Sequence, residues 1–182
     1  MIRKLFSTTF LLSFVFVISQ NHHFDKLGYS LDKNIVVQKT ESSHSFKIDN
    51  NSKVIIVLTK VDNSSLLNLD NQQYNIKNNQ DEFLKKLDFG IKQILQARNN
   101  DSQRLELVYE PKFVPADNIN MVFYRFNSIL NTRNNKVQKI TEDNIVIPNK
   151  NASYLITVTV FENTQNLGLK IQAFMDSLKL TN

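Results

Sequence analysis

The closing stretch of the chain leaves the fewest options for its fold. YLITVTVF, Tyr154 to Phe161, is followed by NTQNLGLKIQAFMDSLKL, Asn163 to Leu180. In an extended chain Ile156, Val158 and Val160 share one face and Leu155, Thr157, Thr159 and Phe161 the other, so both faces are largely apolar or β-branched. A strand of that kind belongs inside a sheet covered on both sides. In the following segment Leu167, Ile171, Phe174 and Leu178 recur at spacings of four, three and four, which puts them on one helix face. Lys170, Gln172, Asp176 and Lys179 fall elsewhere. That apolar face has to lie on the sheet, which predicts a sandwich of sheet and helix closed by a helix over Asn163 to Leu180.

The start of the chain has a different logic. Arg3 and Lys4 precede an apolar core from Leu5 to Ile18, and Val17-Ile18-Ser19 gives way to polar residues. This is the pattern of a secretory signal peptide over residues 1–19, with cleavage after Ser19. The core is about fourteen residues, short of the roughly twenty that a spanning helix needs; an uncleaved anchor is the alternative. No later stretch has the length to span a bilayer, so residues 20–182 are expected as one exported domain, periplasmic or secreted.

Within it, short strands are expected at Tyr29 to Leu31, Ile35 to Lys39 and Ser45 to Ile48. Gly28, Asp32 to Asn34 and Asp49 to Ser52 would supply the turns. VIIVLTKV, Val54 to Val61, reads as a central strand. DEFLKKLDFGIKQILQA, Asp81 to Ala97, reads as a long helix with Leu84, Leu87, Ile91, Ile94 and Leu95 on its apolar face. Asn79 and Glu82 have the spacing of a capping box, and Gly90 marks close packing or a bend. Strands are then expected at Arg104 to Glu110 and Met121 to Asn127, joined through Pro111 and Pro115. Proline donates no ladder hydrogen bond, so that connection should be a turn or a sheet edge. Arg133 to Asn144 reads as a polar hairpin and Ile145 to Ile147 as a short strand before a turn at Pro148 to Asn151.

This order of elements resembles the PsbP-like family, which includes photosystem extrinsic proteins and bacterial DcrB-like envelope proteins. The resemblance rests on LGYSLD (Leu27 to Asp32), KVIIVLTKV (Lys53 to Val61) and DEFLKKLDFGIKQIL (Asp81 to Leu95). It continues through LELVYE (Leu105 to Glu110), VFYRF (Val122 to Phe126), YLITVTVFE and FMDSLKL (Phe174 to Leu180), the last with the Ser-apolar-Lys ending Ser177-Leu178-Lys179. It implies an α+β fold, an α/β/α sandwich with a mainly antiparallel sheet, and an accessory or binding role without enzymatic activity. Two features depart from the pattern: no glycine lies between Asp117 and Met121, and there is no cysteine to carry a lipid.

The absence of cysteine also excludes disulfides, thiolate catalysis and thiolate metal sites. Glycines stand only at positions 28, 90 and 168, so no Gly-rich phosphate loop exists, and neither a nucleophile elbow nor an H-E-x-x-H helix is present. The net charge of +5 includes Arg3 and Lys4 of the leader, and the basic residues are dispersed among carboxylates, which argues against nucleic acid.

Among residue types that can do chemistry, His22, His23 and His44 come first. Cleavage after Ser19 would leave Gln20-Asn21-His22, whose amine, two amide nitrogens and imidazole can hold Cu(II) or Ni(II) in a square plane. The simpler reading is a frayed terminus, with His44 exposed in a turn. The carboxylate pairs Asp81/Glu82, Glu142/Asp143 and Glu106/Glu110 are open to acid–base work. Helix capping and solvated loops account for the first two more simply. Lys85-Lys86 reads as a solvated helix face. Phe123, Tyr124 and Phe126 stand close together, and alternation sends Phe123 and Arg125 to the sheet face opposite Tyr124 and Phe126. One pair must leave the main core, and if no helix covers it, it becomes a candidate interaction surface. No catalytic, cofactor or metal residue is assigned. The expectation is an exported, non-enzymatic accessory protein acting through protein contacts; the alternative is a carrier of a small ligand or metal in a cleft between sheet and helix.

Overall fold

The computed structural model describes residues 19–48, 53–63, 80–100, 103–114, 119–131, 137–149, 152–161 and 168–181. In chain order the elements are β1 (Ser19–Phe24), β2 (Leu27–Asp32), β3 (Gln38–Lys39), β4 (Ser43–Lys47) and β5 (Val54–Asp62). They continue with α1 (Gln80–Arg98), β6 (Gln103–Val114), β7 (Met121–Asn131), β8 (Val137–Ile147), β9 (Ala152–Val160), α2 (Gly168–Asp176) and β10 (Lys179–Leu180). Seven strands form one sheet in the order β3-β4-β5-β9-β8-β7-β6, and β1-β2-β10 form a second. Every pairing is antiparallel. Residues 1–18 of the proposed leader, Asn79 of the capping box, Pro115 and Leu167 lie outside the described residues.

β9 sits at the middle of the large sheet, between β5 and β8, as its two apolar faces require. On one face Val54, Ile56, Leu58, Tyr154, Ile156 and Val158 pack against Phe24, Leu27, Tyr29 and Leu31 of the small sheet and Phe174 of α2. On the other, Phe83, Leu87 and Ile91 of α1 cover Leu105, Val122, Tyr124, Phe126 and Val146. The result is the expected layered α+β architecture, with the hairpin and α2 on one face and α1 on the other. Phe83 is fully buried and Ile94 is exposed, so the stripe of α1 is rotated toward Phe83 from the face its sequence suggested.

Several local expectations change. The closing helix ends at Asp176, not Leu180. Ser177 donates its hydroxyl to the Phe174 carbonyl at 2.6 Å and accepts the Ser30 amide at 2.9 Å, so one side chain both stops α2 and fastens it to β2. Lys179 and Leu180 then pair with Gly28 and Leu27. The segment before Phe24 is a strand, because Phe24 enters the core and Ser19 to Phe24 pair along β2. Gly28 is a buried strand residue with no left-handed backbone. The tight turn is at Asp25-Lys26, where Asp25 has φ 55°. Asp25 holds that conformation with its carboxylate accepting from the Tyr154 hydroxyl at 2.8 Å and pairing with Lys60 at 2.9 Å. In place of Ile35 to Lys39, only Gln38 and Lys39 pair as strand.

The expected polar hairpin before Ile145 is part of one long strand. β8 pairs with β7 and β9 on its two sides, and its polar residues are met by partners on both faces. Arg98 of α1 grips Glu142 with two bonds of 2.8 and 3.1 Å, Arg125 of β7 grips Asp143, and the Thr157 hydroxyl donates to Asn144 at 3.0 Å. β6 continues through Pro111 as the sheet edge, with register shifts between Leu107 and Tyr109 and again between Tyr109 and Lys112.

Candidate functional site

One row of cross-strand neighbours explains where the open surface of this fold lies. In register across the large sheet run Phe46, Ile56, Val158, Asp143, Arg125 and Tyr109. The first three sit beneath the hairpin and α2 in the core. Beyond them the row turns charged and aromatic, and no described helix lies over that end. Arg125 donates from Nε and Nη2 to the two carboxylate oxygens of Asp143. Its guanidinium carbon lies 5.3 Å from the Tyr109 ring centre and 5.7 Å from that of Phe123. The two rings are themselves 6.4 Å apart. The hydrogen bonds to the Asp143 carboxylate hold the guanidinium protonated even more firmly than usual, against the opposing effect of partial burial.

The first bulge of β6 gives this arrangement its shape. The extra residue at Val108 lets Leu107 stay opposite Phe126 on the α1 face while Tyr109 comes opposite Arg125 on the other. Tyr109 remains 47% exposed and Val108 41%. The alternation expected for VFYRF is therefore realised: Tyr124 and Phe126 go under α1, their rings 5.4 Å apart at a near-perpendicular angle, and Phe123 and Arg125 leave that core. Sequence reading missed Tyr109 and Asp143 as members of the cluster. The Asp143 contact is signalled only by β8 being a strand, which its composition hides.

The histidines are placed differently from expectation. His44 is in β4 and only 6% exposed. Its Nδ1 lies 2.8 Å from the Tyr29 hydroxyl, and its ring packs on Phe24 at 4.8 Å. His22 is in β1 and stacks on Tyr29 at 5.3 Å, with its Nε2 buried and without a partner. Burial holds both imidazoles below their ordinary value of 6.5, and Lys39 adds to the effect. Burial pushes the Tyr29 phenol up to about 12. A square-planar copper site needs the amide nitrogens of Asn21 and His22 to converge, whereas consecutive amides of an extended strand point to opposite sides. The strand geometry therefore opposes that site. His23 is exposed on the other side of the hairpin, its ring near Gly28.

The carboxylate pairs do not converge. Glu142 and Asp143 face opposite sides of β8, each committed to a different arginine rather than solvated in a loop. Asp81 and Glu82 are exposed in the first turn of α1, where Glu82 meets Lys86 at 3.3 Å and Lys85 stays in solvent. Glu106 and Glu110 are exposed on the edge strand. Among the described residues no group of three or more His, Asp or Glu side chains is placed to hold a metal ion. A cleft of about 300 Å³ lies between β2 and α2, with Leu31, Ile35, Ile48 and Phe174 in its wall and Asp32 and Lys170 also lining it.

No known protein family matches the chain in sequence, and none of the curated proteins does. Its fold is nevertheless shared with a solved structure. The solution structure of cyanobacterial PsbP (CyanoP) from Synechocystis superposes with a TM-score of 0.61 at 6% identity, covering 92% of this chain and 95% of that one. The Ran-binding protein Mog1p of Saccharomyces cerevisiae gives 0.49 at 6% identity over 91% of this chain and 97% of its own. LpqN of Mycobacterium tuberculosis, involved in cell envelope biogenesis, gives 0.46 at 9% identity over 91% of each. The chain has the PsbP-like fold, as its element order suggested.

Proposed function

We propose that this chain is an exported, non-enzymatic accessory protein of the cell envelope or secreted space, working through protein contacts centred on Tyr109, Phe123, Arg125 and Asp143. The observation that carries the reading is the guanidinium held by Asp143 and lying against two neighbouring aromatic rings on an open sheet end. Tyrosine and arginine dominate the energetics of protein interfaces. Here the flexible arginine is already fixed by its carboxylate and rings, so little side-chain freedom is left to lose on binding. The edges of the large sheet do not compete as binding sites for an added strand. β3 has two residues, and β6 is broken by two bulges and Pro111. Export rests on the leader pattern of residues 1–19.

The test is capture of partners from the native envelope fraction by the wild-type protein and by a Tyr109→Ser/Phe123→Ser variant of matched secondary structure. The proposal expects a partner band retained by the first and lost by the second; a band held equally by both would overturn the assignment of this surface.

A second reading, a small-ligand carrier, draws on the cleft between β2 and α2. Its apolar wall and the charged Asp32 and Lys170 suit a small amphipathic molecule. It expects a ligand that raises the melting temperature of the wild type and not of Ala173→Phe, which fills the cleft; a flat response across a ligand and metal panel counts against it.

A further inference from the structure

The two sheets meet at a contact that has no use for a positive charge. His44 presents its ring to Phe24 and, at a near-perpendicular angle, to Tyr29 from β4, and His22 stacks on the Tyr29 ring from within β1. Tyr29 is the hub: it also stacks on Phe46 at 5.8 Å and meets Phe174 edge-on at 5.9 Å. We propose that the His22–Tyr29–His44 contact is an acid-sensitive clasp, which fastens the β1–β2 hairpin to β4 near neutral pH and lets it go on acidification.

With a phenol that stays protonated, Tyr29 can donate to a neutral His44 Nδ1. Protonated His44 carries a hydrogen there, so the phenol must turn and its own hydrogen loses its acceptor. Neutral His22 can leave a bare lone pair at its buried Nε2, but the imidazolium would place an N–H there with nothing to receive it. No free carboxylate compensates among the described residues. Lys39 of β3 disfavours protonation of both histidines, and His22 disfavours that of His44. Asp25 in the hairpin turn is held by Lys60 of β5 and by Tyr154 of β9. Asp32 and His23 lie on the outward side of the hairpin, Lys179 of β10 is exposed beside Gly28, and the Lys170 and Asp176 side chains of α2 are at exposed positions.

The sign follows from linkage. A released hairpin takes up protons at the ordinary imidazole value of 6.5, and the closed one only at lower pH. The closed state is therefore fully favoured above that value and is lost as pH falls below it. Each such histidine shifts the opening equilibrium about tenfold per pH unit over the interval between its two values. Opening would uncover Phe46 and Leu58, which are core residues in the closed state.

The experiment is amide hydrogen exchange of β1 and β2 in the purified protein at pH 7.5, 6.5 and 5.5, corrected for intrinsic exchange, alongside NMR titration of the imidazole carbon-bound protons. Wild type should lose hairpin protection between pH 6.5 and 5.5, by at most about tenfold for each histidine, with α1 unaffected. His22→Phe/His44→Asn, which keeps the stack and a polar partner for Tyr29, should lose none. Equal acid sensitivity in the variant, or unchanged wild-type protection, overturns the clasp. Should the variant fail to fold, the wild-type titration decides: midpoints of His22 and His44 at or above 6.5 overturn it, and midpoints below support it.

Discussion

Replacing Phe174 by alanine removes the single buried side chain of α2. Its ring is 2% exposed and lies edge-on to Tyr29 at 5.9 Å and to Phe46 at 5.4 Å, so it joins the helix to the hairpin and to the large sheet at once. Truncation leaves a void that neither sheet can close without breaking ladder hydrogen bonds. Phe-to-Ala changes at such sites cost about 3–5 kcal/mol, transfer and cavity together. That is a large share of the roughly 5–15 kcal/mol that holds a domain folded. Leu169, five residues earlier on the same helix, is 85% exposed, and Leu169→Ala should stay within about 0.5 kcal/mol of wild type. Urea unfolding followed by circular dichroism and tyrosine fluorescence measures both. The reasoning fails if Phe174→Ala loses less than about 1 kcal/mol, or if Leu169→Ala loses as much.

Other consequences are separable. Tyr154→Phe removes the hydroxyl that donates to Asp25 and accepts from the Lys26 amide at 3.2 Å; we expect a loss of about 1–2 kcal/mol by chemical denaturation, with faster exchange confined to the β1–β2 turn. The Lys60 and Tyr154 bonds hold the Asp25 carboxyl below its ordinary value of 3.8, so their contribution is present above that pH and declines as pH falls below it; acid titration of the variant should show a smaller decline. Arg98→Ala breaks the two-bond grip on Glu142, whose side chain is only 13% exposed, and should cost about 1–2 kcal/mol and raise exchange at the C-terminal turn of α1. Intact mass of the protein recovered outside the cytoplasm should place Gln20 first; a mass retaining Met1 would contradict cleavage of the leader.

The legible parts of this fold were those whose local pattern and tertiary setting agree. β9 and β5 carry apolar residues on both faces and sit paired on both edges, and α1 spans Gln80–Arg98 against the Asp81 to Ala97 read from its periodicity. β8 was hidden because Glu142, Asp143 and Asn144 look like a loop until Arg98, Arg125 and Thr157 are brought to them by other elements. β1 was hidden because SQNHHF has one apolar residue, Phe24, and its order comes from pairing with β2 and from the ring of Tyr29. The tail broke early because Ser177 back-bonds to its own helix, a choice the apolar spacing through Leu178 cannot reveal. For the candidate site, alternation in VFYRF correctly sent Arg125 and Phe123 away from Tyr124. Tyr109 joined them only because the bulge at Val108 shifts its register.

A photo-crosslinking residue placed at position 109, compared with one at the exposed Phe89 on α1, asks most directly whether the open end of the sheet is the contact surface. The account predicts a discrete adduct from position 109 in the native envelope, suppressed by Arg125→Ala, and none from position 89. Adducts from position 89 alone, or from neither position, would contradict it.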